Sequence, residues 1–333
     1  MENKKTCLIV GAGISGLLAA QTLKKSGIRV IVLDKGRGLG GRLATRRISN
    51  GKVTGIFDYG AQSFTIRSNA FRRVAEPWQK AGVIDIWSHG FHDSTRSFKD
   101  TGQPRYKGMD SMQAIAKHLA HDLDARPQSK VERLQRREDK WHLFTEDGRS
   151  FAGDSLLLTA PVPQNLELLK QSNISLPNTD LEALRAIEYL PTFTVLALLK
   201  SESAVPKPGG LWLDGDPIAW IGDNSKKGVS PDAHAVTVHA GEEFSRINFD
   251  RNIETVAQEL LNAAQDFLKS DILISQIHRW RYATPVFTYE NLYYSHPPLN
   301  LYMAGDSFGG KRLESAALSG LRVAQALKAE LHM

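Results

Sequence analysis

The sequence is poor in cysteine and has no long apolar run, and each shortage excludes a class of protein. Its 333 residues include one cysteine, Cys7, so no internal disulfide can form and a reducing compartment is expected. No apolar stretch reaches the 18 residues that a membrane-spanning helix needs. The leading MENKK runs directly into a predicted strand, so we expect no signal peptide. We therefore expect a cytoplasmic protein without a membrane partner.

The sequence also lacks clustered charge and convincing metal ligands. The net charge is +6, yet no run of five basic residues occurs, so we expect no nucleic-acid partner and regard small anions as the better match. The histidine pairs His89/His92 and His118/His121 have no cysteine and no third ligand nearby. We therefore expect no metal site.

What the sequence does contain is a dinucleotide-binding pattern in its first 42 residues. An apolar run ending at Val10 is followed by Gly11-x-Gly13-x-x-Gly16, a helix-like segment, a second apolar run and then Asp34. In this pattern the glycines allow a tight turn, close approach of a pyrophosphate and helix packing, while the acid binds a ribose. The order and spacing predict a strand, turn, helix and strand that bind an adenine dinucleotide.

Two further segments extend that site along the chain. The segment 35–42 adds a second glycine cluster with two arginines, where a nicotinamide dehydrogenase would continue to another helix. A buried strand over 154–161 ends in Thr159-Ala160-Pro161, and a strand over 299–304 ends at Gly305-Asp306 before a final helix. We interpret these segments as the remaining parts of a bipartite cofactor site.

The fold class predicted is α/β, with an α+β second domain. A Rossmann-type domain comprises residues 1–66, 125–165 and 285–333, and an interleaved antiparallel-sheet substrate domain comprises 67–124 and 166–284. Alternation over 235–240 places Thr237 and His239 on a polar face, and alternation over 274–282 places His278 and Trp280 together. We expect that polar face to cover a ligand site.

Taken together, these segments resemble flavoproteins of the amine-oxidase superfamily, and within it the renalase family, especially its bacterial members. The resemblance spans nearly the whole chain and rests on these segments in order: DKGRGLGGR, DYGAQSFTIR, PRYKGM, DKWHLF, LLLTAPVPQ, DNSKKG, VHAG, HRWRYATP and AGDSFGGKRLESAALSG.

The resemblance implies a noncovalent FAD and a fold like that of p-hydroxybenzoate hydroxylase. It also implies oxidation of the 2- or 6-dihydro isomers of NAD(P)H to NAD(P)+, with O2 as the final acceptor and H2O2 as the product. A dihydropyridine becomes aromatic when it gives up hydride, so this reaction needs no strong base. The substrate would be a reduced nicotinamide dinucleotide, and the oligomeric state is left open.

The same resemblance assigns cofactor-binding residues at matching positions. Contacts to the pyrophosphate and adenosine are expected from the two glycine segments, contacts to the flavin from the middle and end of the chain, and a backbone contact to adenine from Val131. The cofactor-binding set is Gly11, Ala12, Gly13, Ser15, Gly16, Asp34, Lys35, Gly41, Arg42, Ala61, Gln62, Val131, Thr159, Gly305, Asp306, Ser315 and Ala316.

For the substrate pocket, His239 and Asn224 are expected to orient the nicotinamide and Trp280 to form a wall. Thr65 and Arg67 are expected to bind substrate, Arg67 through a phosphate. Other roles stay open at this point: a sheet histidine, a core tryptophan and a surface arginine. Relatives often carry an aromatic residue where this chain has Ser63, which affects the shape of the pocket.

Two other functions are compatible with the sequence. A flavin amine oxidase would hold its amine between paired aromatic rings, for which only Trp280 and Tyr282 are candidates. A noncatalytic FAD-binding module would act as a redox sensor or partner domain.

Overall fold

The computed structural model describes residues 4–331. Within that range no helix is both long enough and apolar enough to cross a membrane.

Eighteen strands are described in this range. In chain order they are β1 (Thr6–Val10), β2 (Arg29–Leu33), β3 (Thr45–Ser49), β4 (Thr54–Asp58), β5 (Ile84–His92), β6 (Phe98–Gly108), β7 (Asp124–Arg126), β8 (Val131–Arg137), β9 (Lys140–Thr145), β10 (Ser150–Gly153), β11 (Ser155–Leu158), β12 (Tyr189–Leu199), β13 (Gly210–Trp212), β14 (Ile218–Asp223), β15 (His234–Ala240), β16 (Ile272–Pro285), β17 (Tyr294–His296) and β18 (Leu301–Met303).

The α-helices described are α1 (Ile14–Lys25), α2 (Asn69–Lys80), α3 (Gln113–Ala120), α4 (Val162–Gln171), α5 (Asn178–Arg185), α6 (Glu242–Ile247), α7 (Ile253–Leu268) and α8 (Leu313–Leu331). A short 3₁₀ helix, Pro297–Leu299, precedes β18.

A six-stranded sheet carries the predicted dinucleotide site. Its order is β17-β18-β11-β1-β2-β7, and all neighbours are parallel except β17 and β18. β1 is a near-continuous apolar run because helices cover both faces of the sheet, as parallel sheets require. The predicted strand–turn–helix–strand over 6–33 is confirmed, and β2 has the predicted bounds.

A seven-stranded sheet forms the second layer, in the order β16-β12-β15-β14-β13-β5-β6. Its pairs are antiparallel except for β13 with β5. On β15, Val236 and Val238 pack against α7 in an apolar core, while Thr237 and His239 point the other way. The predicted division of this strand into one apolar and one polar face is therefore confirmed.

The helices divide the chain differently from the predicted domain boundaries. The strands of the six-stranded and seven-stranded sheets come from the segments predicted for the two domains, except that Asp124 and Pro285 each lie one residue beyond a predicted boundary. However, α2 and α3 share a core with α1 and α8, and α4 and α5 pack on the opposite face of the six-stranded sheet. Of the segment 67–124, only the β5–β6 hairpin lies in the seven-stranded sheet. These four helices pack their apolar faces on the six-stranded sheet and its helices. The apolar pattern of a helix shows which of its faces is buried, but it does not show which sheet that face packs against.

Candidate functional site: a cavity between the two sheets

A cavity of about 1410 Å³ opens where the carboxyl ends of the parallel strands meet the polar face of the antiparallel sheet. Its walls include the glycine turn after β1, the segment 35–47, the end of β11, strand β16 and the start of α8. Cavities that hold a single small ligand span about 300–1,000 Å³. The volume is therefore sufficient for a dinucleotide together with a substrate.

The turn after β1 forms one end of this cavity. Gly11 has φ +111°, a conformation that favours glycine, and a Cβ on Gly16 would lie 2.1 Å from the Gly11 carbonyl oxygen. A Cβ on Gly13 would meet no protein atom within 4 Å, because that position faces the open cavity. The Asp34 carboxylate accepts hydrogen bonds from the backbone N–H groups of Ala12 and Gly36, both at 2.7 Å. The turn thus leaves free space at Gly13 and fixes a carboxylate beside it.

The two ends of the chain meet across the cavity. The Arg42 guanidinium binds the Asp306 carboxylate through Nη2 and Oδ1 at 2.7 Å and also donates to the Ala283 carbonyl at 3.0 Å. The Ser15 hydroxyl donates to the Ala316 carbonyl at the start of α8. The C-terminal loop therefore closes the site that the N-terminal glycine segment begins.

His239 lies on the polar face that covers the cavity. The Gln62 amide nitrogen donates to the Asp58 carbonyl at 2.6 Å and lies 3.2 Å from His239 Nε2, so this imidazole nitrogen is assigned as an acceptor. His239 Nδ1 then carries the proton and faces Thr194 Oγ1 at 3.3 Å. Burial, followed by the nearby charge of Lys227, lowers the pKa of His239 to about 4. The imidazole is therefore neutral at physiological pH and serves as a fixed polar contact.

An aromatic wall of three rings stands beside it. Trp280 stacks on Tyr59 with ring centroids 5.3 Å apart, and its indole N–H donates to the Tyr59 carbonyl at 3.2 Å. His278 lies edge-on to Trp280 at 4.4 Å, so the prediction that these two side chains share a face is confirmed. Burial, followed by the positive charge of Arg46, lowers the pKa of His278 to about 4.

A buried ion pair ties the β3–β4 hairpin to the loop after β14 of the seven-stranded sheet. Lys227 Nζ lies 2.7 Å from Asp58 Oδ2 and donates to the Gln62 carbonyl at 2.6 Å. The other Asp58 oxygen accepts from the Met112 backbone N–H and the Thr45 hydroxyl. Burial lowers the pKa of Lys227, although the Asp58 charge opposes that shift. This network fixes the backbone from which Gln62 reaches His239.

The structure brings most of the predicted site residues to one cavity. Those that line it are Gly11, Gly13, Ser15, Asp34, Lys35, Gly41, Arg42, Ala61, Val131, Thr159, His239, Trp280, Gly305, Asp306 and Ala316. Among the others, Ala12 contributes its N–H to Asp34, Gly16 packs on Gly11, and Gln62 contacts His239. Ser315 lies next to Gly310, outside the lining.

The structure does not place Asn224 where the sequence predicted it. Its side chain is fully buried, accepts from the Asp58 backbone N–H and donates to Thr237 Oγ1 at 2.9 Å. With its amide satisfied inside the protein, Asn224 supports the framework and does not contact a ligand in the cavity. Thr65 and Arg67 lie outside the cavity lining as well, where Arg67 Nε contacts Thr65 Oγ1 at 3.3 Å.

Sequence reasoning missed Tyr59 and Lys227. Tyr59 lies within the quoted DYGAQSFTIR segment, two residues before the predicted flavin contact Ala61, and its aromatic ring at that place was an available signal. Lys227 follows another lysine, and nothing in the sequence distinguishes the fully buried ion-paired residue from its neighbour.

The residues around the cavity fit an adenine dinucleotide with an extended second half. The unfilled space at Gly13, the fixed Asp34 carboxylate and the joined Arg42–Asp306 pair lie along one continuous cavity. The fold and this site define a dinucleotide-binding protein of two interleaved sheets.

Family comparisons identify the cofactor. The family described as flavin containing amine oxidoreductase matches residues 69–328, and the NAD(P)-binding Rossmann-like domain matches residues 9–79. The chain therefore belongs to the flavin-containing amine oxidoreductase family. It is an FAD-dependent oxidoreductase, as the sequence predicted.

Individual relatives are more distant. Renalase from Mus musculus is 25% identical over 193 residues, which are 55% of this chain and 54% of renalase. Protein FLOWERING LOCUS D from Arabidopsis thaliana is 38% identical over 64 residues, which are 19% of this chain and 8% of that protein. The chain thus matches about half the length of one curated relative and a small part of the other.

Solved structures share the fold. Cyclohexylamine oxidase from Brevibacterium oxydans IH-35A superposes with a TM-score of 0.72 at 14% identity, covering 99% of this chain and 100% of that one. The CLA-producing fatty acid isomerase from P. acnes superposes with a TM-score of 0.71 at 13% identity, covering 98% and 99%. One architecture therefore serves different reactions, and the substrate must be argued from the site.

Proposed function

We propose that this protein oxidises the 2- or 6-dihydro isomers of NAD(P)H to NAD(P)+. One substrate molecule, one O2 and one proton give NAD(P)+ and H2O2. FAD, when bound, supplies the hydride acceptor and the site of O2 reduction. The protein's own residues position the hydride donor, and His239 beside the donor ring is neutral at physiological pH.

The charge of the cavity lining is the observation that carries this proposal. The cationic residues along it are Lys35, Arg37, Arg42, Arg46, Arg47, Lys130, Lys311 and Arg312, and the acidic residues are Asp34, Glu167 and Asp306. The guanidinium groups of Arg279 and Arg281 lie over Phe249 on the other face of β16 and are not counted. Asp34 and Asp306 are already hydrogen-bonded, and Glu167 lies on the exposed side of α4. Such a lining favours an anionic substrate over an alkylammonium ion.

The surroundings of His239 support the same substrate. The reaction needs no general base, and an imidazole with a pKa of about 4 is poorly suited to take a proton at neutral pH. Its neighbour Gln62 leaves Oε1 without a partner, and Trp220 leaves its indole N–H without one, both among the described residues. Both atoms adjoin Gly222. Neither side chain is part of the cavity lining, so in this region His239 is the residue that faces the ligand.

An amine oxidase is the second candidate, and the aromatic wall favours it. The stack of Trp280 on Tyr59 presents ring surface to the cavity, as recognition of an amine would require. Family membership is equally compatible with this activity. A cation-rich lining is the argument against it.

Anaerobic flavin reduction tests the proposal directly. The purified holoenzyme is mixed in a stopped-flow instrument with the isomer mixture from borohydride reduction of NAD+ or NADP+, and flavin absorbance is followed. We expect rapid bleaching by the 2- or 6-dihydro isomer and slow bleaching by ordinary 4-dihydro NADH. Bleaching by cyclohexylamine or another simple amine alone would contradict the proposal in favour of amine oxidation. No bleaching by any donor would favour the noncatalytic module.

A further inference from the structure

Three arginines from separate parts of the chain converge at the edge of the cavity. Arg105 lies on β6, Arg67 lies in the segment between β4 and α2, and Arg312 immediately precedes α8. The sequence analysis predicted a phosphate contact for Arg67 alone. Arg105 and Arg312 are at least 38 positions away from it in the chain, so no local pattern links them to it.

Backbone contacts fix this convergence. Phe64 and Tyr106 form an isolated bridge with N–H to carbonyl distances of 3.0 and 2.8 Å, which sets the segment leading to Arg67 beside the strand of Arg105. At the other end of that segment, the Glu314 carboxylate accepts hydrogen bonds from the backbone N–H groups of Arg67 and Ser68, each at 2.9 Å. Glu314 lies two residues after Arg312. The three arginines are therefore held together by groups other than their own side chains.

No carboxylate is ion-paired with the guanidinium groups of this cluster in the part of the chain that the structure describes. Across residues 4–331, no ion pair within 4.0 Å involves Arg67, Arg105 or Arg312. Both oxygens of Glu314 are engaged by backbone N–H groups. Burial, followed by the charges of Arg67 and Arg312, lowers the pKa of Arg105. Bringing the three guanidinium groups together is unfavourable until an anion joins them.

Arg105 has a hydrogen-bond donor that no described residue uses. Its guanidinium carbon lies 5.4 Å from the centroid of the Trp212 ring, which fixes the orientation of the side chain. Its Nε is buried and has no hydrogen-bond partner among the described residues. Such a donor costs free energy unless a ligand accepts from it.

We propose that Arg67, Arg105 and Arg312 form a phosphate-binding site for the dinucleotide substrate. The proposal rests on the proposed function and deepens it, because it assigns the end of the substrate opposite the nicotinamide. Arg312 also lines the cavity that contains His239 and Trp280, so one ligand can reach both regions. Arg42, in the second glycine segment, is already paired with Asp306. A second dinucleotide therefore requires cations of its own, and planar guanidinium groups bind phosphate in a bidentate manner.

Calorimetric titration of the FAD-loaded holoenzyme with ADP-ribose tests this site without turnover. The variants are Arg312→Gln, which alters an exposed side chain, and Arg105→Gln. Arg322→Gln is the matched control, because this exposed arginine lies on α8 outside the cavity lining and donates to Gln325. Flavin absorbance confirms that each variant retains its FAD. Inorganic pyrophosphate and adenosine, titrated separately, distinguish a bare anion and a nucleoside from the combined ligand.

We expect ADP-ribose to bind the wild-type holoenzyme, with affinity about tenfold weaker in each of Arg312→Gln and Arg105→Gln and unchanged in Arg322→Gln. Affinity should fall as salt rises. Equal ADP-ribose affinity in wild type and Arg312→Gln would overturn the proposal. Pyrophosphate binding that depends on these arginines while ADP-ribose binding does not would also overturn it, in favour of a free phosphate anion.

Steady-state kinetics separate failure of this site from failure of the proposed function. With a dihydro isomer of NAD as donor, Arg312→Gln should raise KM about tenfold. With the borohydride-reduced isomer of an N-alkylnicotinamide, which has no phosphate, KM should not change. If no dihydro isomer bleaches the flavin but ADP-ribose affinity still depends on Arg312, the proposed function fails and the phosphate site stands. If the isomers bleach the flavin but KM is the same in the wild type and Arg312→Gln, the proposed function is supported and the proposed phosphate site is wrong.

Discussion

Lys227 and Asp58 form a fully buried ion pair, with Nζ and Oδ2 separated by 2.7 Å and side-chain exposures of 1% and 0%. The pair joins the loop after β14 to the end of β4. Breaking such a pair leaves an uncompensated charge in the interior, which costs about 3–5 kcal/mol. We expect Lys227→Met to lower the free energy of unfolding by about that amount in urea denaturation.

The matched control for this variant is Lys200→Met. Lys200 pairs with Asp271 at 3.1 Å, but both side chains are largely exposed. Exposed pairs contribute at most about 1 kcal/mol. Equal destabilisation by the two substitutions would show that the buried pair has no special role. Lys227→Met combined with Asp58→Asn should recover part of the loss, because no unpaired charge remains.

Gly13→Ala should separate cofactor binding from folding. The added Cβ meets no protein atom, so the free energy of unfolding of the apoprotein should change by less than about 1 kcal/mol. The same Cβ would occupy the space left for the pyrophosphate, so we expect the FAD dissociation constant to rise at least about tenfold. Flavin fluorescence titration measures this constant.

Gly27→Ala is the converse control for Gly13→Ala. Gly27 has φ +84° and no neighbouring atom for a Cβ to strike, and it lies outside the cavity lining. We expect it to lower stability by about 1 kcal/mol through backbone strain and to leave FAD affinity unchanged. If Gly13→Ala leaves the FAD affinity unchanged, the prediction that the pyrophosphate lies beside Gly13 is wrong.

His239 should make stability depend on pH in a defined window. Its pKa is lowered in the folded protein from 6.5 to about 4 by burial, followed by the charge of Lys227. As pH falls below 6.5 the unfolded chain takes up a proton that the folded protein refuses until about pH 4. The free energy of unfolding is therefore highest above pH 6.5 and falls by at most about 3 kcal/mol as the pH is lowered from 6.5 to 4.

Urea denaturation of wild type and His239→Gln at pH 7.5, 6, 5 and 4.5 measures this effect. His278 titrates over the same range, so the variant should retain part of the pH dependence. His118→Gln serves as the control, since His118 is exposed. The prediction is wrong if wild type and His239→Gln lose stability in parallel. In anaerobic reduction, a flat rate between pH 6 and 8 is expected, because His239 stays neutral there.

Trp280 should affect substrate affinity through both its ring and its indole N–H. Trp280→Ala removes the stack on Tyr59 and the hydrogen bond to the Tyr59 carbonyl, and we expect the substrate dissociation constant to rise about tenfold or more. Trp280→Phe retains an aromatic surface and should lie between wild type and the alanine variant. The concentration dependence of anaerobic flavin reduction measures the constant. Equal constants in all three proteins would place the substrate away from this wall.

The dinucleotide half of the site was predictable because its signals are local. Gly11, Gly13, Gly16 and Asp34 occur within one strand–helix–strand unit whose geometry is almost independent of the rest of the fold. The contribution of Asp306 followed from a second glycine turn after a short strand. These features depend on backbone conformation, which short sequence patterns report well.

The substrate half was predicted less completely because its geometry depends on pairing between distant strands. His239 and Trp280 were correctly placed on polar or shared faces by alternation. Asn224 follows β14, where no alternation applies, and its side chain is held inside by β4 and β15. The arginine cluster required the Phe64–Tyr106 bridge, which no local pattern reveals.

The order of strands in the six-stranded sheet has a consequence for biosynthesis. β1 lies between β2 and β11, and β11 is paired on its other side with β18, which begins 143 positions after β11 ends and almost three hundred after β1. Contacts so distant in the chain form late and slowly. A nascent chain on the ribosome would expose the glycine turn long before Asp306 emerged, so FAD capture is expected to follow translation of the last strand. FAD would then bind to the fully translated chain, and its binding would be a late step that completes the fold.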